Sequence, residues 1–323
     1  MTQTMWALSL LMLSAAGWGQ AASTAPVQGG DQSQPPVLTL KVTAGLVAIS
    51  AVVKSKDGEA QTGLTKDDFV LKQDGKEEPI RYFSRGSDLP LSFALMVDTS
   101  GSQQTFIGDE ALASDVFFET MLGRKEDRAM LVQFDSTVLQ LKGMTNSASA
   151  LHFALSHVSQ RGSGAGGTLL YDAIYVVAKN ALASETGRKA MVILSDGGDN
   201  GSHRTLDEAV EQAQRADVQI YSVLYSMRNS LSGSNVGRAP GLDPGLLALQ
   251  KLSESTGGRV FTVSRTMSLR EIFAQIGEDL RLQYELGYKP PPETRANSYH
   301  KLELKAKDKK LTVQARKGFY EPP

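Results

Sequence analysis

Four short apolar runs, separated by segments with helical spacing, constrain the fold of this chain more than any other feature. The runs lie at 91–97, 129–134, 190–195 and 218–224. Over 170–181, apolar residues recur at steps of three and one, as one buried face of a helix requires. Uniformly apolar strands that alternate with such helices are typical of parallel sheets covered on both faces. The sequence therefore predicts an α/β fold, with a doubly wound, mostly parallel sheet and helices on both faces.

Local signals predict where several elements end. Asp74-Gly75 supplies the positive φ angles of a tight turn and predicts a hairpin between Phe69–Gln73 and Ile80–Phe83. Elsewhere, a Ser or Thr stands three positions before a Glu, which is the spacing of a capping box at a helix start. These pairs are Thr205 with Glu208 and Ser268 with Glu271.

The two ends of the chain alternate apolar and polar residues, as half-buried strands do. This pattern occupies 37–89 and 283–323, and the late strands are too few to bury a sheet face alone. We therefore predict that the C-terminal strands, 283–323, pack with the N-terminal β unit, 37–89, as a small β-sandwich. The α/β domain, 90–282, would be inserted between the two halves. The alternative is two separate β appendages.

Residues 1–36 are predicted to precede the folded part of the chain. Residues 1–21 are interpreted as a signal peptide, because Met5–Trp18 is apolar or small and shorter than the ~20 residues of a membrane-spanning helix. No Lys or Arg precedes this run, so an uncleaved anchor is the alternative. Residues 22–36 are interpreted as a disordered linker. Either way we expect an exported protein, periplasmic or secreted, with no membrane insertion of the mature chain.

Charge and cysteine content exclude several function classes. The chain has 34 Lys and Arg against 35 Asp and Glu, a formal net charge of −1, so we expect no nucleic-acid partner. It has no cysteine, which excludes disulfides, thiolate metal sites, Cys nucleophiles and the acylated Cys of a bacterial lipoprotein.

Short oxygen-bearing side chains follow the first apolar run, in the sequence Asp98-Thr99-Ser100-Gly101-Ser102. In an open α/β sheet, ligands bind at the carboxyl ends of the strands, where this run would lie. Carboxylate and hydroxyl oxygens suit Mg²⁺, Mn²⁺ or Ca²⁺ rather than zinc or copper. Thr168, after a Gly-rich loop, and Asp196, after the third apolar run, would reach the same edge. Asp, Ser and Thr at such junctions also cap helices without any metal, and for Asp98 taken alone that interpretation would be favoured.

With these residues in this order, the chain resembles a von Willebrand factor type A domain over about 90–282. The resemblance implies a complete metal-ion-dependent adhesion site, whose pattern is Asp-x-Ser-x-Ser, a distant Thr and a distant Asp. The implied metal ligands are Asp98, Ser100, Ser102, Thr168 and Asp196. The resemblance also implies Mg²⁺ as the ion, with Mn²⁺ or Ca²⁺ as alternatives, and a protein partner that offers an Asp or Glu carboxylate to it.

The ends of the chain resemble an exported bacterial subgroup of these domains that is common in acidobacteria. The similar segments are Gly63–Phe69, Tyr284–Pro290 and Ala315–Tyr320. This resemblance implies the fold and the site but no defined partner. The loop Met227–Asp243 is a candidate for part of the partner surface.

We expect a binding protein rather than an enzyme, one that mediates metal-dependent protein–protein interaction or adhesion. The first alternative is a structural or assembly component of the cell envelope, in which the metal only stabilises the domain. A more remote alternative is a hydrolase that uses the metal as a Lewis acid. Ligand-site variants separate the first two, because loss of the partner without loss of the fold favours binding.

Overall fold

The structure is a computed structural model that describes residues 45–85, 89–101, 103, 107–158, 166–225, 243–292 and 297–321. The predicted signal peptide 1–21, the linker 22–36, the ligand candidate Ser102 and almost all of the loop 227–243 lie outside the described residues. The strands are β1 (Val47–Lys54), β2 (Phe69–Gln73), β3 (Lys76–Glu78), β4 (Ile80–Arg85), β5 (Leu91–Asp98), β6 (Arg128–Phe134), β7 (Val138–Thr145), β8 (Arg188–Ser195), β9 (Val218–Leu224), β10 (Val260–Thr262), β11 (Tyr284–Tyr288), β12 (Tyr299–Ala306), β13 (Thr312–Ala315) and β14 (Gly318–Tyr320). The helices are α1 (Ile107–Met121), α2 (Ala148–Leu155), α3 (Leu170–Val177, extended by a π-helical turn over Ala178–Leu182), α4 (Leu206–Arg215), α5 (Pro244–Thr256) and α6 (Leu269–Arg281).

Six strands form the central sheet in the order β10-β9-β8-β5-β6-β7. All neighbouring pairs are parallel except β6 and β7, which are antiparallel. The predicted α/β fold with a mostly parallel sheet is therefore confirmed. The two capping boxes are also present, and they start α4 and α6.

Helices cover both faces of the central sheet, which explains why its strands are apolar throughout. Along β5, Phe93 and Leu95 point into a core shared with α1, α2 and α6. Ala94 and Met96 point into a second core shared with α3, α4 and α5. Every residue of β5 is buried, because neither face of the strand is exposed to solvent. Its sequence therefore does not alternate between apolar and polar residues.

The two ends of the chain form two antiparallel four-stranded sheets, in the orders β13-β1-β11-β4 and β14-β12-β2-β3. N-terminal and C-terminal strands pair directly in both sheets: Ile49 lies opposite Leu286, and Leu71 opposite Leu304. These four side chains belong to one apolar core between the sheets. The predicted small β-sandwich unit built from N- and C-terminal strands is confirmed.

The predicted hairpin is correct in its turn and wrong in its second strand. Asp74 and Gly75 have φ angles of 50° and 85° and join β2 to β3. The strand that begins at Ile80 pairs instead with β11 in the other sheet. Pro79 stands between β3 and β4, and since it has no backbone N–H it ends the pairing with β2.

A buried carboxylate joins the last helix of the α/β domain to the β-sandwich. Asp279 of α6 is 1% exposed. One of its oxygens lies 2.7 Å from Lys54 Nζ in β1, and the other accepts a hydrogen bond from Arg259 Nε at 2.8 Å. Asp279 is therefore paired with two cations of the chain itself.

Among the helices that the structure describes, none is both long and apolar enough to span a membrane.

Candidate metal centre

Asp98 lies at the carboxyl end of β5, in the middle of the central sheet. Its side chain is fully buried. One carboxylate oxygen accepts a hydrogen bond from the backbone N–H of Ser100 at 2.9 Å, and the other accepts one from the Ser195 hydroxyl at 2.6 Å. Ser195 ends the neighbouring strand β8, so two adjacent strand ends hold this carboxylate in place.

The charge on Asp98 has no cationic partner within the described residues. Burial raises the pKa of Asp98 to about 6, against the opposing hydrogen bonds from Ser100 and Ser195, and the nearby Asp196 carboxylate raises it further. No Lys, Arg or His in the described part of the chain forms an ion pair with Asp98 or Asp196. A buried carboxylate in this situation is costly unless a cation compensates it.

Asp196 follows β8 directly and is partly exposed. Its carboxylate accepts a hydrogen bond from the N–H of Gly198 at 2.9 Å. The next residue, Gly197, has φ 79°, and a Cβ there would lie 2.3 Å from the carbonyl oxygen of Gly245 at the start of α5. A Cβ on Gly245 would in turn lie 2.2 Å from the Asp196 carbonyl oxygen. Only glycines allow this close packing, which fixes the loop that carries Asp196.

Thr168 lies just before α3, and its backbone is held by the loop that follows Asp196. Its N–H donates to the carbonyl of Asn200 at 3.1 Å, and the N–H of Asn200 donates back at 2.9 Å. The next N–H, that of Leu169, donates to the carbonyl of Asp135 at 2.8 Å. Asp135 follows Phe134, which lies opposite Asp98 in the sheet. Thr168 is thus tied to the same sheet edge as Asp98.

The structure brings four of the five predicted ligands to one edge, and Ser102 lies outside the described residues. Ser100 is buried, and its side chain also bonds to Asp98. In the described part of the chain, no three His, Asp or Glu side chains are grouped so that they could hold a metal alone. Hydroxyls would therefore be needed in any ligand set here.

The donor set fits a hard divalent cation. Hydroxyl and carboxylate oxygens are ligands that Mg²⁺ accepts, and two uncompensated carboxylates balance its charge. Asp98, Ser100, Ser102, Thr168 and Asp196 are the residues that would hold it.

Sequence reasoning missed Asp135, a third carboxylate at this edge. Asp135 is 4% exposed, and its Oδ2 accepts a hydrogen bond from the Thr99 hydroxyl at 3.4 Å. A signal was present, since Asp135 directly follows an apolar run just as Asp98 and Asp196 follow theirs.

Polar side chains of α3 and the loop after Asp196 support one another. Asp199 accepts the N–H of Tyr171 at 3.1 Å, at the first turn of α3. Asp172 accepts the backbone N–H groups of His203 and Arg204 at 3.0 and 2.9 Å. Burial acts against it, but these bonds lower the pKa of Asp172. The loop therefore stays ordered around an ionised Asp172.

Comparison with known protein families shows the class of protein to which this fold belongs. The von Willebrand factor type A domain family matches residues 94–275, more than half of the chain. The chain belongs to this family.

Several solved structures are similar to the chain at low identity. The conserved hypothetical protein BatB from Bacteroides thetaiotaomicron is 14% identical, with 59% of this chain and 97% of that chain covered and a TM-score of 0.48. A von Willebrand factor type A protein from Catenulispora acidiphila is 12% identical, with 81% and 75% covered and a TM-score of 0.47. The vWF domain of the type V pili tip protein Mfa5 from Porphyromonas gingivalis is 14% identical, with 59% and 94% covered and a TM-score of 0.44. The comparison with curated proteins found no match.

Proposed function

We propose that this chain binds a divalent cation, Mg²⁺, at a complete metal-ion-dependent adhesion site and uses the ion to bind a partner protein. Asp98, Ser100, Ser102, Thr168 and Asp196 would hold the ion. Mg²⁺ keeps several of its waters and accepts few protein carboxylates, so the partner's Asp or Glu could replace one water. The result is metal-dependent adhesion or protein–protein interaction, in which no covalent bond is made or broken.

One observation carries the proposal. Asp98 is fully buried and is surrounded by hydroxyl and N–H donors and a second carboxylate, with no ion pair among the described residues. A domain held together only by its own interactions would be more stable without that charge. A bound cation gives the buried carboxylate the partner that the chain does not supply.

Isothermal titration calorimetry of Mg²⁺ into the chelator-treated full-length chain tests the metal site. We expect saturable binding at one site, lost in Asp98→Ala. The matched control is Asp127→Asn, because Asp127 is equally buried but accepts the N–H of Leu91 at the opposite end of β5. Wild-type protein that is folded and binds neither Mg²⁺ nor Mn²⁺ would contradict the proposal.

The same variants separate partner binding from a purely structural role. If Asp98→Ala remains folded and only metal-dependent capture of a partner is lost, the binding function is supported. If Asp98→Ala unfolds the domain and Mg²⁺ merely raises the melting temperature, the alternative is favoured, in which the ion only stabilises a structural or assembly component of the cell envelope. Mg²⁺-dependent hydrolysis of generic ester substrates, lost in Asp98→Ala, would contradict our proposal that the chain is not an enzyme.

We also propose export, on the basis of the sequence of residues 1–36 and the resemblance of the chain ends to the exported acidobacterial-type subgroup. The test is expression with residues 1–36 intact, followed by fractionation and N-terminal sequencing. A mature chain that begins at Ala22 in the periplasm or medium is expected. Intact chain that stays in the cytoplasm would overturn this part of the proposal.

A further inference from the structure

Asp135 is a buried carboxylate that the proposed metal site does not use as a ligand. It follows β6 and is 4% exposed. No Lys, Arg or His of the described residues forms an ion pair with it. Burying an unpaired charge at this position is costly, so its contacts should account for its presence.

The Asp135 carboxylate fixes the turn over residues 135–137. Its Oδ1 accepts hydrogen bonds from the N–H of Thr137 at 2.8 Å, from the Thr137 hydroxyl at 3.1 Å and from the Ser136 hydroxyl at 3.4 Å. The backbone N–H of Asp135 donates to the Thr137 carbonyl at 3.0 Å. An Asp that bonds the backbone two residues on is a standard means of holding a turn.

This turn packs against the segment that carries Thr168. The carbonyl of Asp135 accepts the N–H of Leu169 at 2.8 Å. A Cβ on Gly167 would lie 3.5 Å from the Ser136 Cβ, so the turn and Gly167 are in close contact. On the other side, Thr168 bonds to Asn200. The position of Thr168 is therefore set by two loops, one of which depends on Asp135.

Asp135 also reaches the segment that carries Ser100. Its Oδ2 accepts the Thr99 hydroxyl at 3.4 Å, and the N–H of Thr99 donates to the Phe134 carbonyl at 2.9 Å. One carboxylate thus contacts Thr99, the residue before Ser100, directly and the Thr168 segment through its turn.

We propose that Asp135 is a positioning residue that sets the spacing between Ser100 and Thr168 and so makes the site selective for Mg²⁺ over Ca²⁺. This inference rests on the proposed metal-binding function. Mg²⁺ requires near-ideal octahedral geometry at about 2.0–2.1 Å, whereas Ca²⁺ accepts 6–8 oxygens at about 2.3–2.6 Å in flexible arrangements. A displaced hydroxyl therefore weakens Mg²⁺ binding more than Ca²⁺ binding.

The test is calorimetric titration of Mg²⁺ and Ca²⁺, each alone, into full-length wild type, Asp135→Ala and Asp135→Asn at neutral pH. We expect Asp135→Ala to lower Mg²⁺ affinity by about tenfold and Ca²⁺ affinity by less than about threefold, in the range of other outer-shell changes at metal sites. Asn keeps an oxygen that can accept from Thr137, so Asp135→Asn should restore Mg²⁺ affinity to within about threefold of wild type.

Several results would overturn the inference. Equal losses for both ions in Asp135→Ala would show a general weakening rather than a selectivity effect. An Asn variant as weak as Ala would show that the charge matters and not the turn. If Asp135→Ala does not fold, Thr137→Val removes one of the turn's bonds, and it must lower the Mg²⁺-to-Ca²⁺ affinity ratio in the same direction.

Failure of the proposed function gives a different result. Folded wild type that binds neither ion would overturn the metal site itself and this inference with it. Wild type that binds Mg²⁺ with an affinity that Asp135→Ala leaves unchanged would overturn only the role of Asp135. The melting temperature of each metal-free variant is the second readout, because a merely structural role would lower it and leave the affinity ratio unchanged.

Discussion

Two buried carboxylates in this molecule have opposite surroundings. Asp279 and Asp98 are both essentially inaccessible to water. Asp279, at the junction of α6 and the β-sandwich, is paired with Lys54 and Arg259. Asp98, at the carboxyl edge of the central sheet, accepts bonds from Ser100 and Ser195 and lies near the carboxylate of Asp196.

The difference indicates what each carboxylate is for. A buried ion pair satisfies its own charge, so Asp279 needs nothing from outside the chain, and its loss would leave two cations unpaired. Asp98 has neutral donors that fix its geometry without cancelling its charge. A carboxylate that is held in place yet uncompensated is suited to receive a cation from solution.

Removal of the paired carboxylate, Asp279, should destabilise the protein strongly. Asp279→Ala should lower the free energy of unfolding by about 4 kcal/mol, because Lys54 and Arg259 would keep their charges without a buried partner. Urea denaturation measures this change. Asp308→Ala, in an exposed turn where Asp308 accepts the N–H of Lys310, is the control and should change stability by less than about 0.5 kcal/mol.

A decrease of less than about 1 kcal/mol in the free energy of unfolding of Asp279→Ala would contradict this expectation. It would mean that the two cations find enough solvent to replace their partner, so Asp279 would not be a structural ion pair.

Substitution of the unpaired carboxylate, Asp98, should instead raise the free energy of unfolding of the metal-free protein. The pKa of Asp98 is raised from 3.8 to about 6, so the metal-free folded state is stabilised by protonation. Stability from this group is full below about pH 4 and is lost as the pH rises towards about 6. In chelator at pH 7, Asp98→Asn should therefore raise the free energy of unfolding by about 2 kcal/mol. That is below the full linkage value, because Asn has one accepting oxygen fewer.

Urea denaturation of wild type and Asp98→Asn across pH 4 to 7 checks this prediction. Saturating Mg²⁺ should then reverse the order, since it stabilises only the wild type. Wild type that is more stable than Asp98→Asn in chelator at pH 7 would contradict the idea that the charge is uncompensated.

The sequence was sufficient for those parts of the fold in which burial leaves a continuous pattern. Phe69–Gln73 and Val218–Leu224 were predicted to the residue, because apolar or alternating runs there end abruptly. The strand β7 was missed. It lies at the edge of the sheet, with Gln140 exposed and Lys142 half-buried. Its mixed sequence shows neither the alternation of a half-buried strand nor the continuous apolar run of a buried one.

Some positions of the charged residues were likewise predictable from the sequence, and others were not. Asp98 and Asp196 were predictable because each follows an apolar strand, and parallel strands end at one edge. The pairing of Asp279 with Lys54 was not predictable, because these residues are distant in sequence and meet only when the β-sandwich closes on α6. The proposed role of Asp135 was not predictable either, because it depends on contacts with Thr99 and Leu169, which are distant from Asp135 in sequence.

A smaller effect is expected at Thr168, a proposed metal ligand that lies outside the Asp98–Ser102 run. Thr168→Val should lower Mg²⁺ affinity by about tenfold, since one hydroxyl ligand is lost while the other oxygens remain. The fold should be unchanged, because Thr168 is held through backbone bonds to Asn200 that valine keeps. Calorimetry gives the affinity, and Thr120→Val, whose hydroxyl bonds the Val116 carbonyl within α1, is the control. Unchanged Mg²⁺ affinity would remove Thr168 from the ligand set.

Loss of only one of the two cations that pair with Asp279 should cost little stability. Lys54→Met should lower the free energy of unfolding by only about 1 kcal/mol, because Arg259 still pairs with Asp279 and the Met side chain packs where the Lys stem did. Urea denaturation measures it, and Mg²⁺ affinity should not change. A loss as large as that of Asp279→Ala would mean that one cation is not enough for a buried carboxylate at this junction. The argument for an external cation at Asp98, which has none from the described chain, would then be stronger still.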